Sequence, residues 1–119
     1  MNENKVTSLD YLNEVTGGDP ETTREFIEMF FEQIIEFKTG LRDYLSQKKY
    51  KELGELAHKA KSSVMTFGMN DLGMRLKQLQ LKTQKLEEIE SYEEHVAEFE
   101  TLIDRAHREL RAILEEIKA

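Results

Sequence analysis

Three histidines, His58, His95 and His107, are the first side chains to consider for group transfer. The chain has no cysteine, which excludes thiol catalysis, disulfides and cysteine-ligated metals. On an ideal helix each residue turns about 100°, so with Leu53, Ala57, Ala60 and Val64 marking the core direction, His58 projects roughly 130° away from it. It therefore faces solvent. Its neighbours one turn away are Gly54, Glu55, Lys61 and Ser62. Gly54 and Ser62 predict a surface cleared of bulk around the imidazole. A glycine within an exposed helix costs stability, which is easier to understand where something must approach closely. Lys51, Lys59 and Lys61 form a basic cluster around this spot on an acidic chain. Neutral imidazole is a nucleophile, and nearby ammonium groups stabilise the charge of an incoming group such as a phosphoryl oxygen. The same pattern also describes ordinary solvated surface, and spacing alone leaves both readings open.

The other two histidines lie at the edge of their helix's apolar stripe, where local hydrogen bonding is the usual role. Glu55-x-x-His58 has the spacing of a di-iron ligand pair, and Asp104-x-x-His107 nearly so. Ligands of that kind project into a bundle core. Here Glu55 and His58 point outward and no second Glu-x-x-His exists, so no metal site is expected. There is no glycine-rich phosphate loop, hence no nucleotide site of the chain's own.

The elements that must position these residues are helical. One proline, six glycines and few β-branched residues favour helix nearly throughout. Ser8 is expected to cap a short first helix with Leu9, Leu12 and Val15 on its apolar side, ended by Gly17-Gly18. Asp19 reads as the next N-cap, with Pro20 at the first helical position. That second helix runs to about Ser46 on Phe26, Ile27, Phe30, Ile34, Phe37, Leu41 and Tyr44. Phe31 and Ile35 point off this stripe and are expected to meet the first helix. Gly40, inside the same helix, has no reason in the sequence. A third helix spans about Tyr50 to Phe67 on Leu53, Ala57, Ala60, Val64 and Phe67, and Gly68 breaks it. A fourth, about Met69 to Leu86, buries Met69, Leu72, Leu76 and Leu79. Ser91-Tyr92-Glu93-Glu94 has the form of a capping box. It opens a last helix running to about Ile117 on Val96, Phe99, Ile103, Ala106, Leu110, Ile113 and Ile117.

These stripes predict an all-α fold: an antiparallel up-down-up-down four-helix bundle over about residues 19–117. A short extra N-terminal helix, about residues 8–16, should lie across one end or side. The 119 residues suit a single domain over 1–119 with one core. The helices are too interrupted for coiled-coil dimerisation, and a monomer is expected. A net charge of −7 disfavours nucleic acid and anionic membrane surfaces. No apolar run approaches the ~20 residues needed to span a bilayer, and the opening MNENKVTSLD lacks the apolar stretch of a signal peptide. A cytoplasmic protein is the simplest reading, and Met1 favours a free-standing one.

The run AHKAKSSVMTFG, Ala57 to Gly68, resembles the signature of histidine-containing phosphotransfer domains. That signature has a histidine followed by lysine at +3, a small residue at +4, serine at +5 and glycine at +10. Here these positions hold His58, Lys61, Ser62, Ser63 and Gly68. The segment LNEVTGGDPETTREFIEMF, Leu12 to Phe30, is similar to the family's opening, and Lys49-Tyr50 sits where the family often has a small-aromatic pair. The resemblance covers about residues 8–117.

By that resemblance, His58 accepts a phosphoryl group from a receiver-domain aspartate and passes it to another receiver. The implied partners are receiver domains of a hybrid histidine kinase and of a response regulator. The protein is then a phosphoryl carrier rather than an enzyme with its own ATP site. It holds no cofactor, and Mg²⁺ is supplied by the partner receiver. Lys61 is implied to steady the phosphoryl oxygens, and Gln80, at +22, to hydrogen-bond the imidazole. Gly54, Lys51, Lys59, Ser62 and Met65 would form the receiver docking surface, and Gly68 the exit into the fourth helix. Two positions depart from the pattern: Ser62 replaces the usual glycine, and Ala60 stands where leucine is common, which bulk at Met65 or Met69 could offset. A different class remains open, a non-catalytic adaptor bundle that binds receivers without carrying phosphate. Met74 and Leu81, with Phe31 and Ile35, would then supply an interaction patch.

Overall fold

The computed structural model describes residues 5–118, so the expectation attached to Met1 and the first four residues of the opening segment lie outside the described part. Five α-helices follow in order: α1 (Asp10–Thr16), α2 (Pro20–Ser46), α3 (Tyr50–Thr66), α4 (Asn70–Lys85) and α5 (Tyr92–Lys118), with a single 3₁₀ turn at Ile89–Ser91 before α5. No strand occurs among the described residues. Helix α2 packs on α3, α3 on α4, α4 on α5 and α5 on α2, which closes the four-helix bundle. No helix of the described residues is long and apolar enough to cross a membrane.

The apolar stripes account for the packing. Ile27, Phe30, Ile34, Phe37 and Leu41 of α2 are buried together with Leu53, Ala57, Ala60 and Val64 of α3, Leu72, Leu76 and Leu79 of α4, and Val96, Phe99, Ile103, Ala106 and Leu110 of α5. Phe30 stacks on Phe67 at 4.4 Å between ring centroids. Asp19 caps α2 as expected, its carboxylate accepting from the Thr22 amide at 2.8 Å. A bond from the Thr22 hydroxyl, and then this one from its amide, hold the Asp19 carboxyl below the usual carboxylate range.

The two long helices, α2 and α5, have 27 residues each, whereas α3 and α4 have 17 and 16. At 1.5 Å per residue the outer pair is longer by roughly 15 Å. The shorter hairpin therefore stops level with Phe30 and leaves a step. The N-terminal segment and α1 occupy it, and Leu12 is fully buried. The Ser8 amide donates to the Phe67 carbonyl at 2.9 Å. The Val6 and Thr7 amides and the Thr7 hydroxyl donate to the Glu109 carboxylate of α5 at 2.8, 3.0 and 2.6 Å. Burial alone would raise this carboxyl, but the three donated bonds outweigh it and hold Glu109 below its ordinary value. Gly68 makes the crossing possible. Its φ is +78°, and an added Cβ would stand 2.7–3.0 Å from Ser8 atoms.

Several expectations are corrected. Leu9, not Ser8, occupies the cap position of α1, and the Ser8 hydroxyl accepts from the Asp10 amide at 3.2 Å. Val15 is exposed, as is Ile35, because the two turns of α1 bury only Leu12. Phe31 packs edge-on against His107 of α5, with centroids 4.4 Å apart, and not against α1. Phe26 lies at the rim of the core and is 37% exposed. The Ser91 hydroxyl turns back to the Glu88 carbonyl at 2.7 Å in place of the expected capping box, because a 3₁₀ turn precedes the helix. Gly40 now has a reason: an added Cβ would stand 2.5 Å from Cδ2 of Leu56 on α3.

Candidate functional site

The site is built on the α3–α4 hairpin, and two glycines set its geometry. Gly54 of α3 is buried, and a Cβ there would lie 2.0 Å from the Thr83 hydroxyl oxygen and 3.1 Å from Thr83 Cβ. Gly73 of α4 is buried under Met65, whose Cγ would lie 2.6 Å from an added Cβ. Both contacts are backbone-to-side-chain notches that bring the two helix axes close. Gly54 is therefore no exposed clearing, and Met65 is half covered by α4; both act through the helix crossing.

Between these notches stands His58. It is exposed on α3, as its angle from the core stripe requires. Its Nδ1 lies 3.1 Å from Oε1 of Gln80 on α4. A carbonyl oxygen only accepts, so this contact requires the proton on Nδ1 and leaves the Nε2 lone pair free. The ring is thus held in one tautomer with its nucleophilic nitrogen toward solvent. Gln80 is in turn anchored, because the Thr83 hydroxyl donates to its main-chain carbonyl at 2.7 Å.

The lysines divide. Lys59 Nζ pairs with the Glu36 carboxylate of α2 at 2.9 Å, which engages it away from the ring. Lys51 and Lys61 have no carboxylate within ion-pair reach among the described residues. Lys61 is half-buried one turn after His58, and Ser62 is exposed beside it. Lys51 lines an open cleft between α3 and α4 with Gly54, Gln80, Thr83, Gln84 and Leu86.

A second groove flanks the other side of His58, between α2 and α3. Phe26, Met29 and Gln33 line it from α2, Ser62 and Thr66 from α3. Met29 is 58% exposed. The helical period assigns Phe26 to the core, and no motif in the sequence marks Met29, Gln33 or Gln84. An exposed methionine one residue off an apolar stripe was the available signal.

The remaining histidines sit otherwise. His95 is half-buried with Nε2 3.2 Å from Lys82 Nζ. Burial, then Lys82 and Arg75, hold it below its ordinary value. His107 carries the Phe31 ring and lies 3.2 Å from an Arg111 nitrogen. Burial and then Arg111 lower it as well. Among the described residues no cluster of three or more metal-ligating side chains is assembled.

The arrangement can thus offer an exposed, tautomer-fixed imidazole nitrogen one turn from the half-buried Lys61, with a mainly apolar groove on either side. A family model for the Hpt domain matches residues 25–119, a span that contains all three histidines and Gln80. No curated protein matches the chain, and no solved structure does.

Proposed function

The chain belongs to the Hpt domain family, and from that premise we propose that His58 is the phosphoryl carrier, loaded from an aspartyl phosphate of one receiver domain and discharged to the aspartate of another. The family acts in phosphorelays by histidine phosphotransfer and works with receiver domains. The observation that carries the choice of residue is the His58–Gln80 hydrogen bond on an exposed ring. His95 and His107 are half-buried and already engaged at their ring nitrogens or face.

In the forward step the Nε2 lone pair attacks phosphorus, the bond from phosphorus to the aspartyl oxygen breaks, and the carboxylate leaves with that electron pair. The Nδ1 proton stays on the ring and is donated to Gln80 Oε1, which stabilises the positive charge the imidazole gains. Lys61 stabilises the phosphoryl oxygens. Discharge is the same path reversed with a second aspartate as nucleophile. The receiver contributes the acidic pocket and its Mg²⁺; this chain contributes nucleophile and cation.

Receiver docking uses the surface on both sides of the ring: Phe26 and Met29 for apolar contact, Ser62 for close approach, and Lys51 with Lys61 for charge. Affinity should fall as salt is raised, since exposed charge pairs are screened over a Debye length of about 8 Å at physiological ionic strength. The deciding experiment incubates the protein with a phosphorylated receiver and Mg²⁺ and maps the acid-labile label. His58→Gln should abolish labelling while receiver binding persists. Label on His95 or His107, or transfer surviving in H58Q, refutes the assignment. Receiver binding with no label on the wild-type protein would make the chain an adaptor.

A further inference from the structure

We infer that Lys77 of α4 is a second phosphoryl-binding cation, forming with Lys61 a two-ammonium clamp over the group carried on His58. The inference rests on the proposed role of His58 and deepens it.

Register places Lys77. Along the hairpin Gly54 faces Thr83, His58 faces Gln80 and Met65 faces Gly73, so that α4 descends one residue for each that α3 climbs. That register sets Lys61 level with Lys77. On α4 itself, Lys77 follows Gly73 by four residues and precedes Gln80 by three. It shares one helix face with the two residues that touch α3 on either side of it. Lys77 is exposed.

Charge supplies the second argument. The chain has 24 acidic residues against 17 lysines and arginines, and five of those cations hold carboxylates: Arg24, Lys38, Arg42, Lys59 and Lys82. Neither Lys61 nor Lys77 has a carboxylate in ion-pair reach among the described residues. Their helical neighbours three and four residues away are all uncharged: Ala57, His58, Val64 and Met65 for Lys61, and Gly73, Met74, Gln80 and Leu81 for Lys77. Two unpaired ammonium groups at one level repel each other. A doubly charged anion between them turns that repulsion into attraction. The phosphoryl group on Nε2 is such an anion, carried about one turn from this level on the ring that faces Gln80.

The test uses the full chain and a small phosphoramidate donor, so that no receiver interface is involved. Labelling rate at His58 and the ³¹P titration of the phosphohistidine are measured in wild type, Lys77→Gln, Lys77→Arg and Lys85→Gln. Lys85, exposed near the end of α4, controls for net charge. Losing one well-placed charge contact should slow K77Q labelling by about three- to tenfold and move the phosphoryl titration to higher pH. K77R should stay near wild type, and K85Q should match wild type in both readouts. If wild type is labelled at His58 but K77Q behaves as K85Q does, the clamp is wrong and the carrier assignment stands. If wild type takes no label on His58, the carrier assignment fails and the clamp with it.

Discussion

The α3–α4 pair and the α2–α5 pair are both antiparallel and both buried on their inner faces, yet different forces join them. Helices α2 and α5 together carry fourteen acidic residues against seven basic ones, and α3 and α4 carry seven basic against three acidic. The long pair is laced by ions: Lys38 to Asp104 at 2.8 Å, and Arg42 to Glu100 and Glu93 at 2.8 and 2.6 Å. The two carboxylates around Arg42 push its guanidinium to still higher values than an arginine ordinarily has. No ion pair links α3 to α4 among the described residues; shape holds them, through the notches at Gly54 and Gly73. The difference teaches where function can sit. A seam whose facing charges are paired has little left to offer a partner. A face joined by shape keeps cations such as Lys51 and Lys61 for one.

The largest expected effect comes from filling a notch. Gly54→Val places carbon where the Thr83 hydroxyl now lies, so unfolding free energy should drop by about 1–3 kcal/mol. The His58–Gln80 contact should open with it. Pairing the change with Thr83→Ala should recover part of the loss in denaturant titrations, and no recovery would mean that the two residues do not meet as described. Gln80→Leu is next. A hydrogen bond worth about 1 kcal/mol corresponds to roughly fivefold in phosphotransfer rate, with stability unchanged. Rapid-quench transfer assays distinguish this from a folding defect, and an unaltered rate would remove Gln80 from the site.

Arg42→Ala inverts that result. Stability should fall by about 1 kcal/mol or less, and less again in high salt, because the bridges are half-exposed. Transfer should not change; a slowed transfer would show that the ionic face takes part after all. The smallest effect concerns pH. His95 and His107 are held below their ordinary value of 6.5 in the folded protein. The unfolded chain therefore takes up these protons first. Their contribution is complete above about pH 6.5 and declines as pH falls through the lowered folded values. Thermal melts between pH 7.5 and 5.5 should show this decline, and His95→Gln should flatten it.

The helical periodicities made the bundle readable. Asp19-Pro20 gave the start of α2, and the angle of His58 from Leu53, Ala57, Ala60 and Val64 gave its exposure. What stayed hidden depends on contacts across the fold. A missing Cβ carries no sign of what fills the space, so Gly54 looked like an exposed clearing and Gly40 looked like a defect. Phe31 was correctly seen to leave the α2 stripe, but its partner, His107, lies on a helix distant in sequence. The Ser-x-x-Glu pattern at Ser91 was overridden by a 3₁₀ turn, and Lys59 was counted with the free cations because Glu36 belongs to another helix. Local period is legible; who stands opposite is not.

The notches on either side of His58 have one more consequence. Two helices keyed together at two levels have no slack for a rotation or a slide, so loading the ring should leave the backbone where it is. A messenger that keeps its form cannot favour one recipient by changing shape. Which way the group flows would then be governed by the relative phosphorylation free energies of the two receivers and by how much of each is present.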